Sequence, residues 1–443
     1  MNAERLFLAG LSAYRRGERQ VPALYCERAL HDGSLGDELA VRLGHLYLVT
    51  TELWWNNGMP LERVRVLVEM TIDAAARSAD PALQALAECL RGRYLLATDG
   101  LLDAVDVFAR AVELAGRSGS VLAELESLAD LGHHSVGLNI NRGTSVLRDA
   151  LAAANRAVEV PAVDLPLVRI NRARIPGLIG VAAYDAGWFG EAESSLRQSV
   201  QGLAALHAWD QYAMISNYLA QLLSETGRFA EAESILRTAL EPLQSHADLS
   251  THQGYNLGLL GKCYLDWGKI DAASAAITAG WDRLVTTGHQ AVLPILRNYL
   301  GELTMHPEYP RRDLGRAREL FGETIEECLQ TGFRRSEIGA LALRALADLA
   351  AGRTADALEA SERAVGRLEE TGTLPALRSE EIYLTRFKVL SAVGAPAEAA
   401  RWAERARQTL MAKAASLPSP KLRDSFLSGT PVSREIIAIT AEG

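Results

Sequence analysis

The sequence predicts an all-α protein, built as an α-solenoid of about ten stacked helical hairpins. Two observations lead to this prediction: one order of small, glycine and bulky residues recurs along almost the whole chain, and the composition suits helices. Of the 443 residues, 48% are hydrophobic and only 6% are aromatic. A chain of this length would otherwise suggest two or three domains. An array of repeats needs no single large core, because each unit packs only on its neighbours.

The stretch 217–239 contains one complete hairpin. Gly227 is expected to end the first helix, because glycine adopts the left-handed conformation at little steric cost. The second helix is expected to begin near Phe229, with Glu231 close to the positive end of its dipole. Small residues then let the two helix axes approach to roughly 8 Å. These small residues are Ala220, Ala232 and Ala239.

The same positions can be followed through the chain at intervals close to 40 residues. The first small position of each hairpin is Gly10, Gly44, Gly92, Gly132, Gly180, Ala220, Gly261, Gly301, Ala345 and, as a bulky exception, Phe387. Turn glycines follow at Gly17, Gly187, Gly227, Gly268, Gly352 and Gly394. The second small position follows at Ala104, Ala192, Ala232, Ala273, Ala357 and Ala399. A pattern that matches in so many places indicates a repeat protein with one hairpin per repeat.

These repeats resemble tetratricopeptide repeats. The clearest match is Gly92, Ala104, Phe108 and Ala111, which keep the small–small–aromatic–alanine order of that motif. The resemblance covers about residues 5–412 and implies a right-handed α-solenoid. The period near 40 exceeds the usual length of about 34 residues. The chain therefore looks more like the sensor arrays of bacterial signal-transduction ATPases and transcriptional regulators, or like kinesin-light-chain-type repeats.

We expect the repeat array to occupy residues 1–412 and a capping tail to occupy residues 413–443. In the tail, Leu422, Phe426 and Leu427 are expected to cover the open end of the stack.

Three insertions are expected to form loops, because they are rich in Gly, Pro and Asn. They are TTELWWNNGMPLERVR in repeat two, GLNINRGTS in repeat four and MHPEYPRRD in repeat eight.

Composition argues against several classes of function. The net charge of −9 and the pI near 5.6 disfavour direct binding to nucleic acid or to an anionic membrane, since both need a basic surface. No apolar run approaches the roughly 18–20 residues that span a bilayer. The spacing of the cysteines fits neither a zinc motif nor a disulfide framework, so they are predicted to be core residues of a cytoplasmic protein. They are Cys26, Cys89, Cys263 and Cys328.

The sequence contains no recognisable catalytic motif, and we expect no enzyme activity, cofactor or metal. The stretch GYNLGLLGKC at 254–263 has Asn256 and Cys263 where a phosphate-binding loop needs a glycine and a hydroxyl. The pair His133 and His134 has no neighbouring residues at a metal-ligand spacing.

The resemblance implies a binding groove lined by the first helix of each hairpin, on the stripe opposite the packed face. The candidate residues for contact with a ligand or partner are Arg93, His133, Arg174, Tyr184, Asn217, Gln221, Tyr255, Lys262, Asn298 and Glu302. Asn217 and Asn298 occupy the same place in their repeats, and an amide can both donate to and accept from a peptide backbone. Gly258 holds that place between them and is expected to leave room for a ligand. An ordinary solvated helix face is the alternative that the sequence leaves open.

Two further surfaces are candidates for contact with a partner. Trp54 and Trp55 lie in the first insertion. Packing of these rings beneath the loop, without contact to a partner, is the alternative that the sequence leaves open. Repeats nine and ten carry apolar residues at groove positions, among them Ala342, Leu346 and Leu384. That end is expected to be closed over or used in assembly, for example in a homodimer.

The function that these observations favour is a non-enzymatic scaffold or sensor of a bacterial signalling system. It would hold a peptide, a protein or a small-molecule ligand in its concave groove. Two alternatives remain: an adaptor or regulatory subunit that controls a separate effector enzyme, and a peptide receptor of the quorum-sensing type. The resemblance implies that effector domains lie outside this chain, and that ligand binding alters the curvature of the array.

Overall fold

A computed structural model describes residues 2–30, 35–51, 61–98, 100–156, 158–246, 249–287, 289, 291–372 and 376–441. Within these residues the chain forms twenty-two α-helices and no β-strand. The fold is therefore an all-α solenoid of helical hairpins. Trp54 and Trp55, the contact candidates of the first insertion, lie outside the described residues.

Twenty of these helices form ten consecutive hairpins. The first five hairpins are α1 (Ala3–Arg15) with α2 (Gln20–Leu30), α3 (Asp37–Thr51) with α4 (Leu61–Arg77), α5 (Pro81–Thr98) with α6 (Leu101–Ser118), α7 (Val121–Val136) with α8 (Ile140–Asn155), and α9 (Leu165–Asp185) with α10 (Phe189–Ala205). The next five are α11 (Trp209–Glu225) with α12 (Phe229–Leu243), α13 (Ser250–Asp266) with α14 (Ile270–Thr287), α15 (Leu293–Met305) with α16 (Leu314–Thr331), α17 (Arg334–Ala350) with α18 (Thr354–Thr371), and α19 (Ser379–Ala392) with α20 (Pro396–Ala415). The helices α21 (Pro420–Gly429) and α22 (Pro431–Ala441) follow.

The repeat pattern read from the sequence is confirmed. Each of the ten residues at the first small position lies on the first helix of a hairpin, and each residue at the second small position lies on the second helix. All six predicted turn glycines have a positive φ, between 72° and 81°. The glycines are needed at these turns because side-chain-bearing residues rarely adopt this conformation.

The first small position of a hairpin needs a small residue because the paired helices approach closely. Gly92 on α5 faces the ring of Phe108 on α6, and a Cβ atom on this glycine would overlap that ring. Gly301 on α15 faces Phe321 on α16 in the same way. Both phenylalanines are completely buried. The bulky ring of one helix therefore occupies the space that the glycine of its partner leaves free.

The residues divide into two compact units. Unit 1 comprises Met1–Ala182, Ser194–Ile215 and Pro242–His252. Unit 2 comprises Ala183–Glu193, Ser216–Glu241 and Gln253–Gly443. Helices α9 to α13 contribute residues to both units.

Within unit 2 the C-terminal tail contacts two separate parts of the array. Helix α22 packs on α20, the last helix of repeat ten. Helix α21 instead reaches repeats five and six: the buried Phe426 meets the ring of Phe189 edge to face, with 5.5 Å between ring centroids. Ser425 Oγ donates to the carbonyl of Thr226 over 3.2 Å. The tail is thus not confined to the end of the stack, because Phe426 is buried on a repeat that is distant in sequence.

Two of the three predicted insertion loops lie within the described residues. Residues 306–313 join α15 to α16 without helix, as predicted for repeat eight. The loop predicted in repeat four is wrong for most of its length, since only residues 137–139 separate α7 from α8. The side chain of Asn139 accepts the backbone N–H of Arg142 over 2.9 Å and caps α8 there.

The four cysteines are buried and form no disulfide, as predicted for core residues. Among the helices in the described part of the chain, none is long and apolar enough to cross a membrane.

Candidate ligand-binding site

Unit 2 contains a cavity of about 230 Å³, which we call the unit 2 cavity. A water molecule occupies only about 10–15 Å³ of such space, so the cavity is large enough for part of a ligand. The first helices of repeats five to ten line most of it. Its polar lining includes Tyr184, Gln221, Lys262, Asp266, Asn298, Tyr299, Glu302, Arg335, Arg378, Glu381 and Lys388. Its apolar lining includes Leu259, Ile295, Ala342, Leu343, Leu346 and Leu384.

Lys262 is held between two carboxylates. Its Nζ donates to Asp266 Oδ1 and to Glu302 Oε1, each over 2.7 Å. Burial alone would lower the pKa of Lys262, but the charges of Asp266 and Glu302 outweigh it and raise that pKa above its ordinary value. The lysine is therefore charged, and both neighbouring carboxylates are occupied by it.

Arg378 is neutralised in the same way. Its Nη1 lies 2.9 Å from Glu381 Oε1 and 3.4 Å from Asp266 Oδ2, and its Nε lies 3.7 Å from Glu225 Oε2. These carboxylates come from three different helices, α11, α13 and α19. The guanidinium group, which stands just before α19, thus links the walls of the cavity.

Arg335 differs from these two cations. It stands in the first turn of α17, and its Nη2 lies 3.4 Å from the neutral amide oxygen of Gln221. No carboxylate among the described residues forms an ion pair with it. Four tyrosines interact electrostatically with its guanidinium group, namely Tyr184, Tyr218, Tyr255 and Tyr299.

The two predicted asparagines are buried and take part in helix packing. Asn217 Oδ1 accepts a hydrogen bond from Asn256 Nδ2 over 3.1 Å. Asn298 Nδ2 donates to the carbonyl of Ser336 over 3.1 Å, while its Oδ1 has no partner among the described residues. The expectation that Gly258 leaves room for a ligand is wrong. A Cβ atom there would stand 2.5 Å from Leu296 Cδ1, so the glycine makes room for packing between hairpins.

Tyr184 and its neighbour Asp185 belong to a second polar cluster of unit 2. Tyr184 donates its hydroxyl to Glu225 Oε2 over 2.8 Å, and Lys413 Nζ donates to Glu225 Oε1 over 2.6 Å. Asp185 accepts the backbone N–H of Ala376 over 2.8 Å. Burial raises the pKa of Asp185 to about 7, although the Ala376 N–H and the charge of Arg335 act to lower it. The other carboxylate oxygen of Asp185 has no hydrogen-bond donor among the described residues.

Unit 1 contains a separate cavity of about 120 Å³, lined by Arg93, His133 and Arg174 among others. Arg93 Nε donates to Asp130 Oδ2 over 2.8 Å, and Arg174 Nη2 lies 3.3 Å from Asp130 Oδ1. Arg93 also pairs with Glu126. Burial first, and then the charge of Arg174, lower the pKa of His133 to about 4. Because these charged groups compensate one another, we place the candidate site in unit 2.

No metal site is evident in the described part of the chain. No group of three or more His, Cys, Asp or Glu residues there is arranged to hold a metal ion.

No protein-family model matches the sequence, and no curated protein matches it. Solved structures do match. NprR in complex with its cognate peptide NprX has a TM-score of 0.54 at 15% identity, and the match covers 81% of this chain and 97% of that one. The apo form of the quorum sensor NprR from B. thuringiensis has a TM-score of 0.53 at 14% identity, again over 81% and 97% of the two chains.

A third solved structure is a signal-transduction ATPase from Pyrococcus horikoshii with a tetratricopeptide repeat sensor. It has a TM-score of 0.50 at 13% identity, and the match covers 90% of this chain and 56% of that one. The chain has the tetratricopeptide-repeat fold. At these identities the likeness establishes the fold of the array and leaves its ligand to be argued from its own residues.

Within this tetratricopeptide array, five of the ten predicted contact residues line the unit 2 cavity. They are Tyr184, Gln221, Lys262, Asn298 and Glu302. Asn217 and Tyr255 belong to the same unit but are buried outside the lining. Arg93, His133 and Arg174 line the cavity of unit 1.

The lining residues that were missed from the sequence include Tyr299, Arg335 and Arg378. The groove positions considered in the sequence were those six and three before, and one, four and five after, the first small position of each hairpin. Arg335 stands ten positions before Ala345, and Arg378 stands nine positions before Phe387. A search for basic residues near the start of each first helix would have found both.

Proposed function

We propose that this chain is a non-catalytic tetratricopeptide scaffold that binds a peptide in the unit 2 cavity and acts as a sensor in a bacterial signalling system. The observation that carries the proposal is the cavity itself, which combines an apolar wall from α17 and α19 with polar groups from α11, α13 and α15. A peptide offers both kinds of surface, since its side chains suit the apolar wall and its backbone needs donors and acceptors.

Several lining groups have the chemistry that an extended backbone requires. The unpartnered Oδ1 of Asn298 can accept a peptide N–H, and the Gln221 side chain lies at the cavity wall. The peptide complex of the structural neighbour NprR supports this choice over a small-molecule ligand. The proposal therefore favours the peptide-receptor interpretation over that of an adaptor.

A sensor without catalytic groups needs an effector to produce a response. We propose that the effector is supplied by another domain or protein in the cytoplasm, and that peptide binding acts on it by favouring one arrangement of the helices that line the cavity. A ligand can shift such an equilibrium only by its difference in affinity for the two arrangements.

The test is affinity selection with a pool of random heptapeptides on the full chain, read out by mass spectrometry. Gly339→Leu places a side chain into the cavity, and its Cβ would meet Asn298 Nδ2 at an ordinary 3.6 Å. Gly366→Leu makes the same change on α18, where a Cβ meets nothing within 4 Å. We expect the wild type and Gly366→Leu to enrich the same peptides and Gly339→Leu to lose them.

Two outcomes would contradict the proposal. One is the absence of any enriched peptide on the wild-type chain. The other is equal enrichment by Gly339→Leu, with thermal unfolding showing that this variant is folded.

A further inference from the structure

The charges that line the unit 2 cavity do not cancel. The lining carries four cations, Lys262, Arg335, Arg378 and Lys388, and three carboxylates, Asp266, Glu302 and Glu381. All three carboxylates are engaged by Lys262 or Arg378. Lys388 pairs with Glu435 over 2.7 Å. The uncompensated positive charge is therefore located at Arg335.

Nothing else in the described part of unit 2 neutralises Arg335. The contact with Gln221 is a 3.4 Å hydrogen bond to a neutral oxygen. Asp185 feels the charge of Arg335 without forming an ion pair, and its pKa near 7 leaves it partly protonated at neutral pH. A guanidinium group that is partly removed from water gains most from an anionic partner, and carboxylates fit its planar fork of donors.

An unpartnered acceptor lines the same cavity as this cation. Asn298 Nδ2 is held by the carbonyl of Ser336, the residue that follows Arg335, and Asn298 is 6% exposed. Its Oδ1 has no partner among the described residues. The cavity thus contains a cation that lacks an anionic partner, on α17, and an amide oxygen that lacks a donor, on α15. A peptide residue with a free carboxylate and a backbone N–H would satisfy both.

We propose that Arg335 binds a carboxylate group of the bound peptide, either its C-terminus or an acidic side chain, while Asn298 Oδ1 accepts a neighbouring backbone N–H. This inference rests on the proposed function, because it names the group of the peptide that the cavity recognises. It gives Arg335 the role of recognising the peptide, whereas the ion pairs of Lys262 and Arg378 stabilise the walls of the cavity.

The experiment uses three pools of random heptapeptides on the full chain. The first pool has a free C-terminal carboxylate and contains no Asp or Glu. The second has an amidated C-terminus and contains Asp and Glu. The third is amidated and contains neither, so it carries no carboxylate. We expect enrichment from the first or the second pool, which identifies the source of the carboxylate, and about tenfold less from the third.

Substitutions at Arg335 test whether this residue binds the carboxylate. Arg335→Gln is expected to lower the enrichment by about tenfold, and Arg335→Lys is expected to keep part of it because it keeps the charge. Arg334→Gln is the matched control, since Arg334 belongs to the same turn but pairs with Glu337 over 2.7 Å and does not line the cavity. It is expected to bind like the wild type. Thermal unfolding of each variant checks that it is folded.

The outcomes separate the two proposals. Equal enrichment from the third pool, lost on Gly339→Leu, would leave peptide binding intact and overturn the role of a carboxylate. Full enrichment by a folded Arg335→Gln variant would overturn the role of Arg335. No enrichment from any pool would overturn the peptide-binding function and this inference with it.

Discussion

Asn256 Nδ2 donates to Asn217 Oδ1 over 3.1 Å, and both side chains are at most 1% exposed. This bond joins α11 to α13, the first helices of two successive repeats. Asn217, which the sequence indicated as a ligand contact, therefore has a measurable role in packing. Its removal would change stability whether or not a ligand touches it.

The first prediction concerns this pair. Asn217→Ala leaves Asn256 without its acceptor in a buried position, which costs about 1–3 kcal/mol of unfolding free energy, and Asn256→Ala should cost a similar amount. The double variant should lose less than the sum by at least about 0.5 kcal/mol, because the two residues share one bond. Urea denaturation of the wild type, the two single variants and the double variant measures the coupling energy between the two residues. Strict additivity would show that the bond contributes nothing.

The second prediction concerns Lys262. Lys262→Met leaves Asp266 and Glu302 close together without their shared cation, so the unfolding free energy should fall by about 3–5 kcal/mol at pH 7. Adding Glu302→Gln should recover part of this loss, because one of the two charges is removed. Lys269→Met is the control: Lys269 is exposed, lies 3.5 Å from Glu233, and should change stability by less than about 1 kcal/mol. A double variant no more stable than Lys262→Met would refute this account.

The third prediction concerns pH. Burial raises the pKa of Asp185 from 3.8 to about 7, so between these values the folded protein holds a proton that the unfolded chain has released. The contribution to stability is present below pH 3.8 and is lost as the pH rises towards 7. At about 1.4 kcal/mol per pKa unit, it amounts to roughly 4 kcal/mol. Asp185→Asn should flatten the fall in stability across this range, measured by urea denaturation from pH 4 to 8. An unchanged pH profile would contradict the assignment.

The fourth prediction compares two helical glycines of one hairpin. Gly301→Ala places a Cβ atom against the ring of Phe321, and overpacking of this kind typically costs about 1–3 kcal/mol. Gly322→Ala on α16 meets nothing within 4 Å and should stabilise the protein by up to about 1 kcal/mol, through the higher helix propensity of alanine. The melting temperatures of the two variants should therefore shift in opposite directions from that of the wild type, as measured by thermal unfolding. A shift of the same sign in both variants would argue against the packing role of Gly301.

The hairpins could be predicted from the sequence because their determinants are local. Gly227 ends α11 and Ala232 follows on α12, within one short stretch of chain. The same spacing recurs in other repeats, so each match supported the rest. Where a local signal misled, as in the loop predicted after Gly132, the capping side chain of Asn139 explains the difference.

The candidate site could be predicted only in part, because its geometry depends on contacts between distant repeats. Gln221 and Arg335 are 114 residues apart, and no periodic pattern predicts that their side chains meet. The groove positions were assigned on each first helix separately, so they included Lys262 and Glu302 and did not include Arg335 and Arg378. Burial of Asn217 was missed for the same reason, since its partner Asn256 belongs to the next repeat.

The bond between Lys413 and Glu225 joins residues that are 188 positions apart. A simple repeat array can fold from any point and grow one unit at a time, but a contact of this separation has to wait for a large loop to close. During synthesis, the hairpins of repeats five to nine would emerge before the helix that carries Lys413 is complete. Unit 2 is therefore expected to reach its native state late and slowly, as proteins rich in non-local contacts do.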